Sequence, residues 1–141
     1  MRDILFKAKR IDNGEWVEGF YFCMVHNDGR HIHHFIMPLG VDLSLGTPIE
    51  KIQVEIDGKT ICQYTGLTDK NGNKIWENDI VKHYNNPNKP TQFVIGAIYW
   101  NEDNVRYERS SRYEHAKFSV LYDCVYEVIG NTFDNTELLG R

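Results

Sequence analysis

The chain has 141 residues, of which 41% are hydrophobic and 26% charged, and its formal net charge is −4. This length is typical of one domain, and the composition excludes a disordered, collagen-like or low-complexity protein. The longest apolar run, from Phe93 to Trp100, has eight residues, far below the roughly 20 that a membrane-spanning helix needs. The three cysteines are odd in number and lack a CxxC pair, which favours reduced thiols and a cytoplasmic location.

The first half of the chain has the pattern of short β-hairpins. Asn-Gly or Asp-Gly pairs, which tolerate the positive φ of tight hairpin turns, occur at 13–14, 28–29, 57–58 and 71–72. The predicted hairpins join residues 4–10 to 15–21, the end of that strand to 31–37, and 52–56 to 59–64. Residues 52–56 have the clearest alternation of apolar and polar side chains.

The second half is predicted to continue as short strands with few and short helices. We expect strands over 80–83, 92–100, 118–122 and 125–129, a loop or short helix over 101–116, and single helical turns at 76–79 and 137–139. The fold class is therefore mainly β, and 18 of the 141 residues are aromatic, as strands favour. We place a boundary between an N-terminal hairpin region, 1–64, and a C-terminal region, 65–141, the two possibly interlocked as one compact unit.

A group of histidines is the first candidate for chemistry. His31 and His33 share one face of a predicted strand, and His26 would come close across the hairpin. Zinc sites need three or four ligands of this type, so these histidines are weak metal candidates. A solvated hairpin face whose histidines happen to be adjacent is the favoured interpretation. No complete catalytic or nucleotide-binding motif is present, so we expect no enzyme activity and no cofactor.

A second candidate is the mixture of basic and aromatic residues around 106–113. Arginine binds phosphate and tyrosine can stack on bases, which favours a nucleic-acid interface. Acidic neighbours dilute the positive charge, and a loop packing its tyrosines on the fold is the structural alternative. The candidate residues are Arg106, Tyr107, Arg109 and Arg112, with Lys82 and Lys89 as further cations.

One segment is specific enough to resemble a known family. From Gln63 to Val81 the chain reads QYTGLTDKNGNKIWENDIV, which resembles the signature of the YopX family of phage and prophage proteins. The opening at 4–8 and the close at 126–131 and 137–139 resemble that family's ends. The departures are Asn78 in place of the usual glycine, Thr136 in place of a common proline, and a longer histidine-rich segment at 26–37.

The resemblance implies a fold and an origin but no activity. It implies a mostly β protein with an SH3-like small barrel in its C-terminal half, encoded by a mobile element of a bacterium. We expect a non-enzymatic binding module that acts on a host or phage protein or in a homo-oligomer, with no membrane partner. The alternatives are a nucleic-acid-binding accessory protein and, less favoured, a metal-dependent hydrolase. Tyr64, Trp76 and Asp79 are the binding-surface candidates within the signature.

Overall fold

The computed structural model describes residues 3–41, 44–84, 86, 88–110, 119–120 and 126–140. The described chain is mainly β, and all its strand pairings are antiparallel. The strands are β1 Phe6–Lys9, β2 Trp16–Val25, β3 Ile32–Pro38, β4 Val54–Ile56, β5 Cys62–Thr68, β6 Lys74–Trp76, β7 Asp79–Tyr84, β8 Phe93–Asn101, β9 Arg106–Arg109, β10 Ser119–Val120 and β11 Tyr126–Asn131. One short α-helix, α1 Ile49–Ile52, and two 3-10 helices, Gly58–Thr60 and Thr136–Leu139, complete the described elements. No helix among the described residues is long and apolar enough to cross a membrane.

The chain divides into two compact units, Met1–Gln63 and Tyr64–Arg141. In the first unit the strand order is β4-β3-β2-β1-β5. Its core contains Ala8, Ile36 and Ile56, with Val17 and Tyr21 packed against them. Along β4 the buried side chains of Val54 and Ile56 alternate with the exposed Glu55, as expected for a strand with one buried face.

The first two predicted hairpins of this unit are confirmed. β1 pairs with β2 around Gly14, which has φ +72°, and β2 pairs with β3 around Gly29, which has φ +68°. Both glycines adopt the left-handed conformation that these turns require and that side chains disfavour.

The third predicted hairpin is wrong. β4 pairs with β3, and β5 pairs with β1, so the two strands do not pair with each other. At the predicted turn, the Asp57 carboxylate accepts a hydrogen bond from the backbone N–H of Lys59 at 3.0 Å. Asp57 thereby caps the 3-10 helix Gly58–Thr60 instead of opening a two-residue turn.

In the second unit β5 pairs with β6, and a separate sheet has the order β10-β9-β8-β7-β11. Its core contains Ile75, Val81, Ile98 and Tyr126. Among the described residues no pairing closes this sheet on itself, so the SH3-like barrel stays a prediction.

Two local expectations for the second unit are wrong and one is confirmed. Residues 76–79 form a tight turn between β6 and β7, with Asn78 at φ +67°, in place of a helical turn. The predicted loop or short helix over 101–116 contains strand β9, which pairs with β8. The helical turn near the C-terminus is present as the 3-10 helix Thr136–Leu139. The segment that joins the strands predicted over 118–122 and 125–129 lies outside the described residues.

Candidate interaction surface

The carboxylate of Asp69 is the centre of the signature segment. It lies in the turn between β5 and β6 and is buried. Its Oδ1 accepts the backbone N–H groups of Asn71 and Asn73, each at 2.9 Å, and its Oδ2 accepts that of Val128, also at 2.9 Å. Asp69 therefore fixes its own turn and ties that turn to β11.

These contacts set the charge state of Asp69. Burial by itself raises the pKa of this carboxyl, but the hydrogen bonds from Val128, Asn73 and Asn71 lower it by more, so the pKa lies below its ordinary value. Hydrogen bonds to the charged form of an acid favour that form. Asp69 is thus held as an anion by its own backbone.

The other signature residues singled out by the sequence are also buried. Tyr64 and Trp76 are opposite each other on β5 and β6, with ring centroids 5.4 Å apart. The Asp79 carboxylate accepts the backbone N–H of Trp76 at 2.8 Å and closes the turn at Asn78. Trp76 is 4% exposed and Asp79 is 2% exposed, so the structure brings these three residues together in the interior.

Glu108 on β9 is a fully buried carboxylate that the sequence did not single out. It accepts hydrogen bonds from Tyr99, Asn101, Asn104 and Arg106, between 2.7 and 3.1 Å. Burial raises its pKa, but the bonds from Arg106 and the other donors lower it by more. The available sequence signal was that three polar residues, Asn101, Asn104 and Arg106, lie close to Glu108 along the chain.

The arginines predicted to bind nucleic acid have different surroundings. Arg106 is exposed, and its Nε–H donates a hydrogen bond to the Glu108 carboxylate at 2.7 Å. Tyr107 is half-buried, and its ring lies edge-on to Trp100 at 4.9 Å. Arg109 is buried, and Arg112 lies outside the described residues. The structure therefore places one of these arginines on the surface and another in the interior.

Lys82 and Lys89, the two other cations, lie on β7 and in the loop before β8. Lys82 is half-buried, with its ammonium 4.6 Å from the centre of the Phe93 ring. Lys89 is exposed, and its backbone N–H donates to the carbonyl of Asn86.

The second hairpin brings the three histidines together. The ring of His26 stacks on His33 at 4.8 Å and lies edge-on to His31 at 5.8 Å. The Nδ1 atoms face carboxylates instead of a common centre: that of His31 faces Asp28, and that of His33 lies 2.7 Å from Glu55. Among the described residues no group of three or more His, Cys, Asp or Glu side chains is arranged to hold a metal ion.

A cluster of titratable groups on unit 2 also escaped the sequence reasoning. The hydroxyl of Tyr84 donates to Glu127 at 2.6 Å, and the ammonium of Lys70 lies 3.4 Å from the same carboxylate oxygen. The bond from Tyr84 lowers the pKa of Glu127 more than burial raises it. These residues are far apart in sequence. The pairing of β7 with β11 brings Tyr84 close to Glu127, and the backbone N–H of Lys70 donates to the carbonyl of Tyr126 and places Lys70 beside them.

A cleft of about 440 Å³ opens in the first unit beside the end of β1. Its lining includes Arg10, His33, His34, Glu55 and Asp57. The cations and carboxylates are mixed, so the cleft does not favour a ligand of one charge. His34 is held in place by Tyr21, whose hydroxyl lies 2.7 Å from its Nδ1.

A group of exposed apolar side chains in unit 1 lies on the β2–β3 hairpin, which we call the arm (residues 20–37). Phe20 is 54% exposed, Met24 48%, Val25 56% and Ile32 51%. Phe20 and Met24 lie on one face of the arm, whereas Val25 and its cross-strand partner Ile32 lie on the other. The arm thus exposes apolar side chains on both faces. The available sequence signal was the uncharged run FYFCMV from residue 20 to residue 25.

Comparison with known proteins identifies a family and finds related solved structures. The model of the family described as YopX protein matches residues 6–140. No curated protein matches the chain. The crystal structure of protein EF1440 from Enterococcus faecalis has a TM-score of 0.54 and 24% sequence identity, covering 99% of each chain. This likeness concerns the fold alone.

Proposed function

Because the chain belongs to the YopX family, as its signature predicts, we propose that it is a phage or prophage protein that works as a non-enzymatic binding module. Its target is a host or phage protein, or a second copy of itself, and its place of action is the cytoplasm of the bacterial host. The proposal includes the SH3-like barrel expected for the C-terminal half.

The observation that carries this proposal is the exposed arm. Contiguous exposed apolar side chains are uncommon on monomeric soluble proteins and often mark interaction sites. Phe20, Met24 and Met37 lie on one face of the arm, and each is more than a third exposed. Aromatic residues and methionine are enriched in protein–protein interfaces.

The conspicuous carboxylates of unit 2 support the same conclusion by their contacts. Asp69, Asp79 and Glu108 are buried, and each accepts hydrogen bonds from the chain's own backbone or side chains. Groups held in this way stabilise the fold. The arm of unit 1 presents exposed apolar side chains to a partner.

The proposal is tested by affinity capture from phage-infected host lysate treated with nuclease. The arm variant Phe20→Ser/Met24→Ser is compared with wild type and with Leu45→Ser, a matched control that removes an exposed apolar side chain outside the arm. We expect wild type and the control to retain the same protein and the arm variant to lose it. Retention of the same proteins by all three would contradict the proposal.

Nucleic-acid binding is the second candidate, and one observation favours it. Trp100 is 40% exposed and lies against Tyr107, beside the pair formed by Asn101 and Arg106. An exposed aromatic side chain next to an arginine can stack on a base. This function predicts affinity for single-stranded DNA or RNA that falls steeply with salt. The absence of binding at about 50 mM salt would contradict it.

A further inference from the structure

The hydrogen bonds of β2 alternate between its two sides. In an antiparallel strand the N–H and C=O of one residue point to the same side, and the next residue points to the other. The backbone N–H of Leu39 donates to the carbonyl of Glu18 at 3.1 Å, and that of His26 donates to the carbonyl of His31 at 2.8 Å. Even-numbered residues of β2 therefore bond towards β3.

The odd-numbered residues of β2 point to the opposite side, where β1 lies. The backbone N–H of Arg10 donates to the carbonyl of Glu15 at 2.9 Å, and the register pairs Phe6 with Gly19. β1 begins at Phe6, so its pairing with β2 ends at Gly19. β2 continues for six more residues, to Val25.

This difference in strand length leaves an open edge. The backbone groups of Tyr21, Cys23 and Val25 point away from β3, and in the part of the chain that the structure describes no strand lies beside them. Proteins usually protect such edges with charges, proline or a bulge. The segment from Tyr21 to Val25 has none of these: its sequence is YFCMV and its register with β3 is unbroken.

We propose that this edge pairs with the same edge of a second copy of the chain, across a two-fold axis at Cys23. The inference rests on the proposed binding function of the arm and names its partner. In this register Cys23 is opposite Cys23 of the second copy, and Tyr21 is opposite Val25 in both directions. All three odd-numbered residues then form hydrogen-bonded pairs, which gives six backbone hydrogen bonds.

The side chains fit a second copy because the segment is self-complementary. Phe22 and Met24 are opposite each other twice on one face, and Tyr21 and Val25 are opposite each other twice on the other face. No charged group lies within the paired segment, so bringing two copies together creates no like-charge contact, which cross-strand pairs disfavour. A two-fold interface needs a surface that matches itself in this way.

The size of the edge limits the strength of the dimer. Five residues on each side bury much less than the roughly 1,000 Å² of a stable interface, so the contact belongs to the weak class. We expect a dissociation constant on the order of 10–100 µM. The dimer therefore forms at high local concentration.

The test is sedimentation of the full chain over a range of concentrations. Cys23→Pro removes an N–H that points outwards and leaves the bonds to β3 intact, as edge positions tolerate. Cys23→Ser is the matched control, because it keeps the N–H. We expect Cys23→Pro to raise the dissociation constant at least about tenfold and Cys23→Ser to leave it within about twofold.

A second variant keeps the inference testable if Cys23→Pro does not fold, which circular dichroism will show. Met24→Lys changes only an exposed side chain and would place an ammonium against Phe22 of the other copy. We expect the same loss of dimer. A short bis-maleimide should also cross-link the wild type through Cys23 and fail to do so with Cys23→Ser.

Two outcomes would overturn the inference. One is a wild type that stays monomeric up to about 1 mM, well above the expected constant. The other is a dimer that persists in both Cys23→Pro and Met24→Lys. If the dimer is absent but the arm still captures a host protein, the proposed function stands and its partner is different. If the dimer is absent and the arm also captures no protein, both the inference and the proposed function are contradicted.

Discussion

The two units of this protein use their side chains in opposite ways. Unit 2 buries three carboxylates that accept hydrogen bonds from the chain itself, whereas unit 1 exposes apolar side chains on a hairpin. The recognisable signature lies almost entirely in unit 2, and the surface that we propose for a partner lies in unit 1. The difference teaches that the motif that identifies a chain can serve its fold, while the proposed binding surface is a segment without any motif.

Among the substitutions that test this difference between the units, Asp69→Asn is expected to have the largest effect on stability. The amide cannot accept from all three backbone N–H groups, and its own NH₂ opposes one of them. Leaving buried donors unpaired should lower the free energy of unfolding by about 3 kcal/mol. The urea unfolding midpoint measures this. Asp103→Asn, on an exposed turn residue, is the control and should change little.

Acid should act on unit 2 through the same carboxylates. The folded pKa values of Asp69, Glu108 and Glu127 lie below their ordinary values. Their contribution to stability is therefore complete above the unfolded pKa of about 4 and is lost as the pH falls through the folded pKa. We expect the melting temperature to fall below about pH 4, less steeply in Asp69→Asn. Equal slopes would contradict this role for Asp69.

His83 should make a smaller contribution to the pH dependence of stability, at higher pH than the carboxylates. Its ring stacks on Tyr126 at 4.8 Å, and burial, followed by the charge of Arg109, lowers its pKa. The unfolded chain therefore takes up a proton below about pH 6.5, before the folded protein does, and stability falls there. His83→Gln should flatten the pH dependence of the unfolding midpoint in this range. An unchanged dependence would show that His83 does not titrate differently on folding.

The smallest effect on folding is expected on the arm. Met24→Lys changes a side chain that is 48% exposed, so at low protein concentration stability should change by no more than about 0.5 kcal/mol. The urea midpoint measures this on the same scale as Asp69→Asn. A large loss of stability in dilute solution would mean that the arm serves the fold and would remove the contrast between the units.

Local turn chemistry was the part of the fold that the sequence could predict. The positive φ of the glycines at 14 and 29 follows from residue type, whereas Asn78, expected in a helical turn, has a positive φ that asparagine tolerates. Asp57 shows the limit: the same dipeptide chemistry that opens hairpins elsewhere caps a 3-10 helix there. The choice depends on β4 pairing with β3, which is a tertiary contact.

The candidate site was harder to predict, for two physical reasons. An aromatic residue or carboxylate fits both a core and a surface, so the sequence could not show that Trp76 and Asp79 are buried. The open edge depends on β1 being shorter than β2. That difference is set by where the chain enters the sheet and leaves no periodic pattern.

Amide hydrogen exchange at two protein concentrations tests the central claim most directly. The amides of Asn71, Asn73 and Val128, which bond to Asp69, should be equally protected at both. The amides of Tyr21, Cys23 and Val25 should exchange quickly in dilute solution and become protected as the concentration rises. Protection of these three amides that does not depend on concentration, or concentration-dependent protection confined to unit 2, would contradict the account.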